Sequence, residues 1–413
     1  MLDLTKLALQ MQGMSHHLTQ EAIAGRQRLE RAQTLLHQAQ SQQETLVAQQ
    51  HQWRDRLGFT AAEPLEPLNT RLTIPAPPSA HTVLATDGSQ IAPSHHEIAY
   101  CYLINTGRIA LHYGQGRHPL LDSIPEVFYQ AEDLHISRQW GIRTEEWMGH
   151  RRTVSEALAL TELAESITVF RAKVPSAQKS ASPIATSSTI PASPATLALT
   201  DGSLIHWSLE ALPTEARERL LPPMLQAWQR LRQLGIPLVG YLSASRSSEA
   251  MNFFRLTTCP HPHPDCTSHC FGKTDQAPCQ VFSPLRDATL WATLLQPGDR
   301  SPLWKSHARI LEQYGEHPIY FCYVHGGAEV ARVEFPAWVV EAGHLDLALG
   351  MTLAQVQKGY GYPVALAEAH NQAVVRGGDR QRFFALLEQQ MIRAGLRNVG
   401  TSYKETRKRG SIA

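Results

Sequence analysis

The sequence predicts an α/β protein: a mixed sheet with helices packed on it, preceded by an N-terminal helical arm. Three observations carry this. Short apolar runs rich in β-formers alternate with long helical stretches from residue 82 onward. Two pairs of these runs lie close enough in sequence to be hairpins, so the sheet is not purely parallel. The first 57 residues hold no proline and only two glycines, Gly13 and Gly25.

In that N-terminal stretch, Leu29, Leu36, Trp53 and Leu57 recur at helical or heptad intervals. A coiled-coil arm, a helical hairpin and a flap on the main domain all satisfy the pattern. Residues 58–80 are Pro-rich and read as a connector. Strands are expected at 82–86, 97–105 and 108–113, with Thr106-Gly107 as the turn of a hairpin. A helix at 144–170 follows. The Ser/Ala/Pro-rich stretch 172–194 reads as a mobile insertion. Next come a strand at 196–200, a helix at 214–234 and a strand at 237–242. A Cys/His-rich insertion occupies 256–282. A second hairpin is expected from 318–324 and 329–335, then helices at 363–375 and 379–394. The main domain thus spans 81–400, and a basic tail (Lys404, Arg407, Lys408, Arg409) fills 401–413.

A hydrophobic content of 43% in 413 residues supports a sizeable core and excludes wholesale disorder. Lys+Arg is 38 against 37 Asp+Glu, so no global basic field marks a nucleic-acid binder. Any such contact needs a local patch, for which Arg152, Arg246 and Arg376 are candidates. No run reaches the roughly 18 apolar residues of a membrane span, and the N-terminus lacks a signal-peptide pattern. The expected location is cytoplasmic, without a membrane partner.

The sharpest feature is an internal echo. Thr86-Asp87-Gly88-Ser89 is repeated as Thr200-Asp201-Gly202-Ser203, each after an apolar strand. Each copy sets a carboxylate at a strand's C-terminal end, before a residue that permits a tight turn. Two such carboxylates on neighbouring strands can share Mg²⁺ or Mn²⁺, which take hard oxygen ligands. The alternative is a pair of ordinary Asp-Gly turns. The intervening helix offers Glu156, Glu162 and Glu165 as a third carboxylate, or as solvated helix residues.

Strand-DGS, hairpin, Glu-bearing helix, strand-DGS and the late segment Gly359-Tyr360-Gly361-Tyr362-Pro363…Ala369-His370 together resemble the NurA family of DNA-repair nucleases. Arg332-Val333-Glu334-Phe335-Pro336 resembles that family's Arg-x-Glu-x-Pro strand. The resemblance covers about residues 80–400. It implies a ribonuclease-H-like core and a Mn²⁺- (or Mg²⁺-) dependent nuclease acting on DNA in end processing and double-strand-break repair. It implies Asp87, Glu156, Asp201 and His370 as metal ligands, with Tyr362 at the same centre. It also implies a homodimer working with a HerA-type hexameric translocase. The residues add that Pro363 suits the first helical position, leaving His370 two turns in. There it could bind metal or move a proton, or simply be a core histidine; Tyr362 could meet a phosphate or base, or pack under the turn.

Four of the six cysteines cluster as Cys259-x6-Cys266-x3-Cys270-x8-Cys279, with His261, His263 and His269 among them. Thiolates at short range suit structural Zn²⁺ or an iron–sulfur cluster, although the spacing matches neither standard pattern. Soft sulfur is poor company for Mg²⁺ or Mn²⁺, so this cluster is expected to be a staple, not the catalytic centre. A competing reading of the whole chain is a non-catalytic DNA-binding or scaffold subunit with a Cys/His metal loop. A sugar-kinase or actin-like ATPase ranks last, because no adenosine-binding Gly-rich segment is present, and the absence of GxxxxGK[ST] argues against a P-loop motor.

Overall fold

The computed structural model describes residues 3–94, 97, 99–173, 194–271, 273 and 276–395. The basic tail lies outside the described residues, as does the Ser/Ala/Pro-rich stretch except for its edges. The strands in chain order are β1 (Glu63–Pro64), β2 (Leu72–Thr73), β3 (His81–Ile91), β4 (Tyr102–Tyr113), β5 (Leu120–Phe128), β6 (Ala195–Asp201), β7 (Leu238–Leu242), β8 (Asp299–Arg300), β9 (Trp304–Lys305), β10 (Ile319–His325) and β11 (Val330–Pro336). The helices are α1 (Leu4–Ser41), α2 (Gln43–Trp53), α3 (Ala131–His135), α4 (Thr144–Lys173), α5 (Thr214–Gln233), α6 (Glu249–Phe254), α7 (Cys266–His269), α8 (Asp287–Trp291), α9 (Ala337–Glu341), α10 (Leu345–Lys358), α11 (Val364–Ala373) and α12 (Gly377–Arg393). Among the described residues, no helix is long and apolar enough to cross a membrane.

The chain forms two compact units. The first holds the residues up to Ile74, Gly202–Ile205 and Tyr241–Ala337. The second holds Pro75–Asp201, His206–Gly240 and the residues from Trp338.

In the first unit, β10 and β11 form the expected antiparallel hairpin, and β9 and β1 extend it. The helical periodicity of Ala32, Leu35, Leu36 and Ala39 lays the C-terminal part of α1 against Phe253, Phe254, Trp291 and Trp304. That part is a flap on the unit's core. Leu4, Met11, Met14, Leu18 and Ile23 further up α1 stay exposed. Beneath this core, Arg332 is 1% exposed and pairs with Glu249 at 2.8 Å and Glu334 at 2.7 Å. Glu334 also accepts from Ser203 Oγ and from the Leu204 amide, which fixes the turn after the second DGS copy.

In the second unit the strand order is β7-β6-β3-β4-β5. β3 runs parallel to β6 and antiparallel to β4. Val83, Leu84 and Ala85, like Leu197, Ala198 and Leu199, are fully buried, because both faces of the sheet are covered. α4 packs on β3 and β4 with α5 behind it, and α11 packs on the same two strands. A Cβ at Gly88 would meet α4 and one at Gly107 would meet α11. Since side chains alternate along a strand, these contacts place the two helices on opposite faces.

Two expectations need correction. The hairpin around Thr106-Gly107 does not exist: β4 is continuous through both residues and pairs with β3 on one side and β5 on the other. Gly107 is a mid-strand glycine, required because a Cβ there would stand 2.5 Å from the Ala369 carbonyl oxygen. It is a close-approach glycine read as a turn glycine. The first DGS copy likewise does not end its strand, since β3 continues to Ile91. Only the second copy turns, with Gly202 at φ +94°.

Candidate metal centre

β3 and β6 lie in parallel register with Thr86 opposite Thr200. The next residue on each strand is therefore the aspartate of its DGS copy, so Asp87 and Asp201 emerge side by side. Their charges act on each other: burial first, and then Asp87, push the Asp201 carboxyl above the ordinary range. Tyr362 hydrogen-bonds Asp201 and opposes that rise.

Glu156 comes from the α4 face. Thr86 points that way and donates to the Glu156 carbonyl at 3.0 Å, anchoring this turn of α4 to the strand. Gly88 then leaves room for the side chain: a Cβ there would stand 2.5 Å from both Glu156 Oε1 and Arg152 Cγ. Glu156 lies 3.3 Å from Arg152 Nε, one turn earlier on α4. Burial pushes its carboxyl up to about 8; Arg152 opposes this, while Asp87 and Asp201 add to it. Of the other candidate carboxylates on α4, Glu165 pairs with Arg230 at 2.6 Å and Glu162 is exposed.

His370 comes from the α11 face. Asp87 and Gly107 are directly paired, so both point toward α11. The missing side chain at Gly107 lets the helix rest on the strand. At the helix's first turn, buried Gln355 accepts from the Ala365 amide at 3.1 Å and donates to Tyr113 Oη at 3.0 Å. At its last turn, the Ala373 carbonyl accepts from Ser89 Oγ and from Asn105 Nδ2. Held at both ends, α11 sets His370 Nδ1 2.8 Å from Asp87 Oδ2. The ring thus donates Nδ1–H to the carboxylate and turns Nε2 outward on a side chain that is 67% exposed. Tyr362 precedes the helix, whose cap is Pro363.

All five residues expected at the centre therefore lie in one unit and interact. Of the three candidate DNA-contact arginines, Arg152 faces Glu156, and Arg376 is exposed at the cap of α12 in the same unit. Arg246 is exposed in the first unit. Ser89, Asn105, Gly107 and Gln355 were missed by sequence reasoning; their roles arise from packing between elements far apart in the chain.

Three carboxylates, an imidazole and a phenol form a hard donor set that suits Mn²⁺ or Mg²⁺. Burial and mutual proximity disfavour the charged forms of Glu156 and Asp201 and raise both carboxyls. A cation is the natural counter-charge. No three of the carboxylate and imidazole donors lie within 4.8 Å of one another, so the set is open, not closed around one point.

The Glu156 shift has a measurable consequence. Its folded-state pKa of about 8 lies above the ordinary 4.5, so folding favours the protonated acid. Its contribution to stability is fully present below pH 4.5 and is lost as pH rises through about 8. In chelator, unfolding midpoints are expected to fall across that window, and Glu156→Gln to flatten the fall. Mn²⁺ should restore stability at the alkaline end.

In the first unit, a second cluster was not foreseen. His51, Glu63 and His307 bring their donor atoms within 4.8 Å of one another, the only such group of three among the described residues. Hydrogen bonding from His307, opposed by burial and aided by His51, holds the Glu63 carboxyl down at about 2. The four clustered cysteines also lie in this unit, as free thiols.

Residues 81–375 match the family model for the NurA domain. Curated proteins offer no match. Among solved structures, the crystal structure of the NurA nuclease from Sulfolobus solfataricus is 12% identical, with a TM-score of 0.41 over 78% of this chain and 88% of that one. The family model spans more than two-thirds of the 413 residues and contains the whole carboxylate–histidine centre: the chain belongs to the NurA domain family.

Proposed function

We propose that this protein is a metal-dependent deoxyribonuclease of ribonuclease-H-like design, working in DNA end processing and double-strand-break repair. The observation that carries the reading is the convergence of Asp87, Asp201 and Glu156, from two parallel strands and the helix behind them, beside His370. Membership of the NurA family supports it.

Asp87, Asp201 and Glu156 would hold Mn²⁺ or Mg²⁺, with His370 as a further donor through its outward nitrogen. A cation bound there supplies Lewis acidity and a water of lowered pKa. The chain's own residues do the rest. Asp87 fixes the ring and tautomer of His370 through Nδ1, which leaves the Nε2 lone pair free as a metal donor. Tyr362 orients Asp201. Arg152 steadies Glu156 and offers positive charge to a phosphate. Ser89 and Ser203 are engaged with the Ala373 carbonyl and Glu334, so neither is placed as a nucleophile. Arg376 and Arg246 would add sequence-independent backbone contacts. A homodimer acting with a HerA-type translocase completes the proposal.

The test is incubation of the full chain with labelled single- and double-stranded DNA in Mn²⁺, Mg²⁺ or EDTA. Cleavage with either metal and none in EDTA is expected. DNA binding without cleavage in any metal would favour the scaffold reading instead.

Gly88→Ala probes the positioning of Glu156. The added methyl meets the movable end of Glu156 and the Arg152 stem, not backbone. The fold should survive with a lowered melting temperature, because the Arg152 stem must also shift, while the displaced carboxylate lowers cleavage by about 10²-fold.

A further inference from the structure

Outside the carboxylate centre, the first unit carries a second constellation with no role in that chemistry: four cysteines gathered from the short segment that ends in Cys279. Cys259 follows α6, Cys266 opens α7, Cys270 caps it, and Cys279 returns to the group. All four sulfurs lie near enough for each to feel the other three electrostatically. Asp265 caps α7 through the Ser268 amide, which fixes the spacing of Cys266 and Cys270.

Burial pushes the Cys259, Cys266 and Cys270 thiols up, so a thiolate here needs the donors around it and a bound cation. The backbone amides of His261 and Gly58 hydrogen-bond the sulfurs of Cys259 and Cys266. Arg255 is 4% exposed, yet its guanidinium has no carboxylate partner among the described residues. Its Nη2 lies 3.5 Å from Cys279 Sγ, and its Nε is buried without an acceptor. A buried cation needs a counter-charge, and the cysteine group is the anion that metal binding would create beside it.

The width of the cage favours a cluster over a single ion. One Zn²⁺ with bonds of about 2.3 Å draws its four sulfurs to within roughly 4 Å of one another. Here no three of the sulfurs fall within 4.8 Å of one another. An iron–sulfur cube spreads its four cysteines over four separate irons, so its cage is wider.

We propose that Cys259, Cys266, Cys270 and Cys279 ligate a [4Fe–4S] cluster. Loading is ligand exchange from a preassembled cluster carried by small thiolates. Each cysteine sulfur bonds one iron, its proton passes to the thiolate it displaces, and no electron moves. The cluster is a structural clamp. It holds the end of α2 and the turn after it onto the cysteine segment, where Trp53 stacks on His263 at 5.2 Å and Arg56 pairs with Asp265 at 2.8 Å.

The test is metal and acid-labile sulfide analysis of the full chain, purified without oxygen from iron-replete cells. About four irons and about four sulfides per chain are expected, with visible charge-transfer absorption. One zinc per chain without sulfide, or no metal, would overturn the proposal. Cys266→Ser and Cys279→Ser should lose the iron, while Cys101→Ala, in the second unit, keeps it. Equal iron loss in all three variants would also overturn it. The wild-type stoichiometry decides the matter even if a cysteine variant fails to fold.

Discussion

Asp201→Asn and Asp87→Asn are each expected to lower metal-dependent DNA cleavage on the order of 10³-fold while leaving the fold intact. Each replacement keeps the side-chain shape and removes one negative charge from the proposed metal centre. The two variants differ in a second readout. Asp201 is held above its ordinary pKa by burial and by Asp87, so Asn there relieves repulsion, and the cation-free protein should be more stable at neutral pH. Asp87 is tied to His370 at 2.8 Å. Asn at that position weakens the bond that orients the ring, and no such gain is expected. Cleavage assays and chemical denaturation in chelator check both statements.

Arg332→Ala is expected to be the most damaging single change to stability, at about 3–5 kcal/mol. Burial opposes the guanidinium's charge, but Glu249 and Glu334 outweigh it and hold its pKa above the ordinary value. The guanidinium also lies 3.5 Å over the Phe321 ring. Truncation strands two carboxylates, Glu249 and Glu334, that are 5% and 1% exposed. Glu334 would then be free to leave Ser203 and Leu204, loosening the turn after the second DGS copy. Arg332→Lys keeps the charge but loses the fork that reaches both carboxylates, and it should recover only part of the loss. Urea unfolding of the three proteins measures this.

Much of the architecture was readable because the strands are buried on both faces and appear as continuous apolar runs. Val83 to Ala85 and Leu197 to Leu199 are examples. The paired aspartates were readable because identical tetrapeptides after matched strands acquire equivalent positions once those strands align in parallel. Gly107 was misread because a glycine that admits a helix and a glycine that turns a chain look alike in sequence. The difference lies in α11, more than 250 residues away, whose Ala369 carbonyl occupies the space a Cβ would take. Gln355, Asn105 and Ser89 were unreadable for a related reason. Each satisfies a backbone group at an end of α11, and nothing local distinguishes such a side chain from an ordinary polar residue. The segment Leu120–Phe128 was missed as a strand because it is largely exposed and carries Pro125, a composition suited to a sheet edge.

The most direct measurement of the catalytic account is Mn²⁺ binding to the full chain, followed by electron paramagnetic resonance in wild type and in an Asp87→Asn/Asp201→Asn double variant. Wild type should take up Mn²⁺ at a site that the double variant lacks, with unchanged secondary structure in both. Equal Mn²⁺ uptake by the two proteins, or none by wild type, would contradict it.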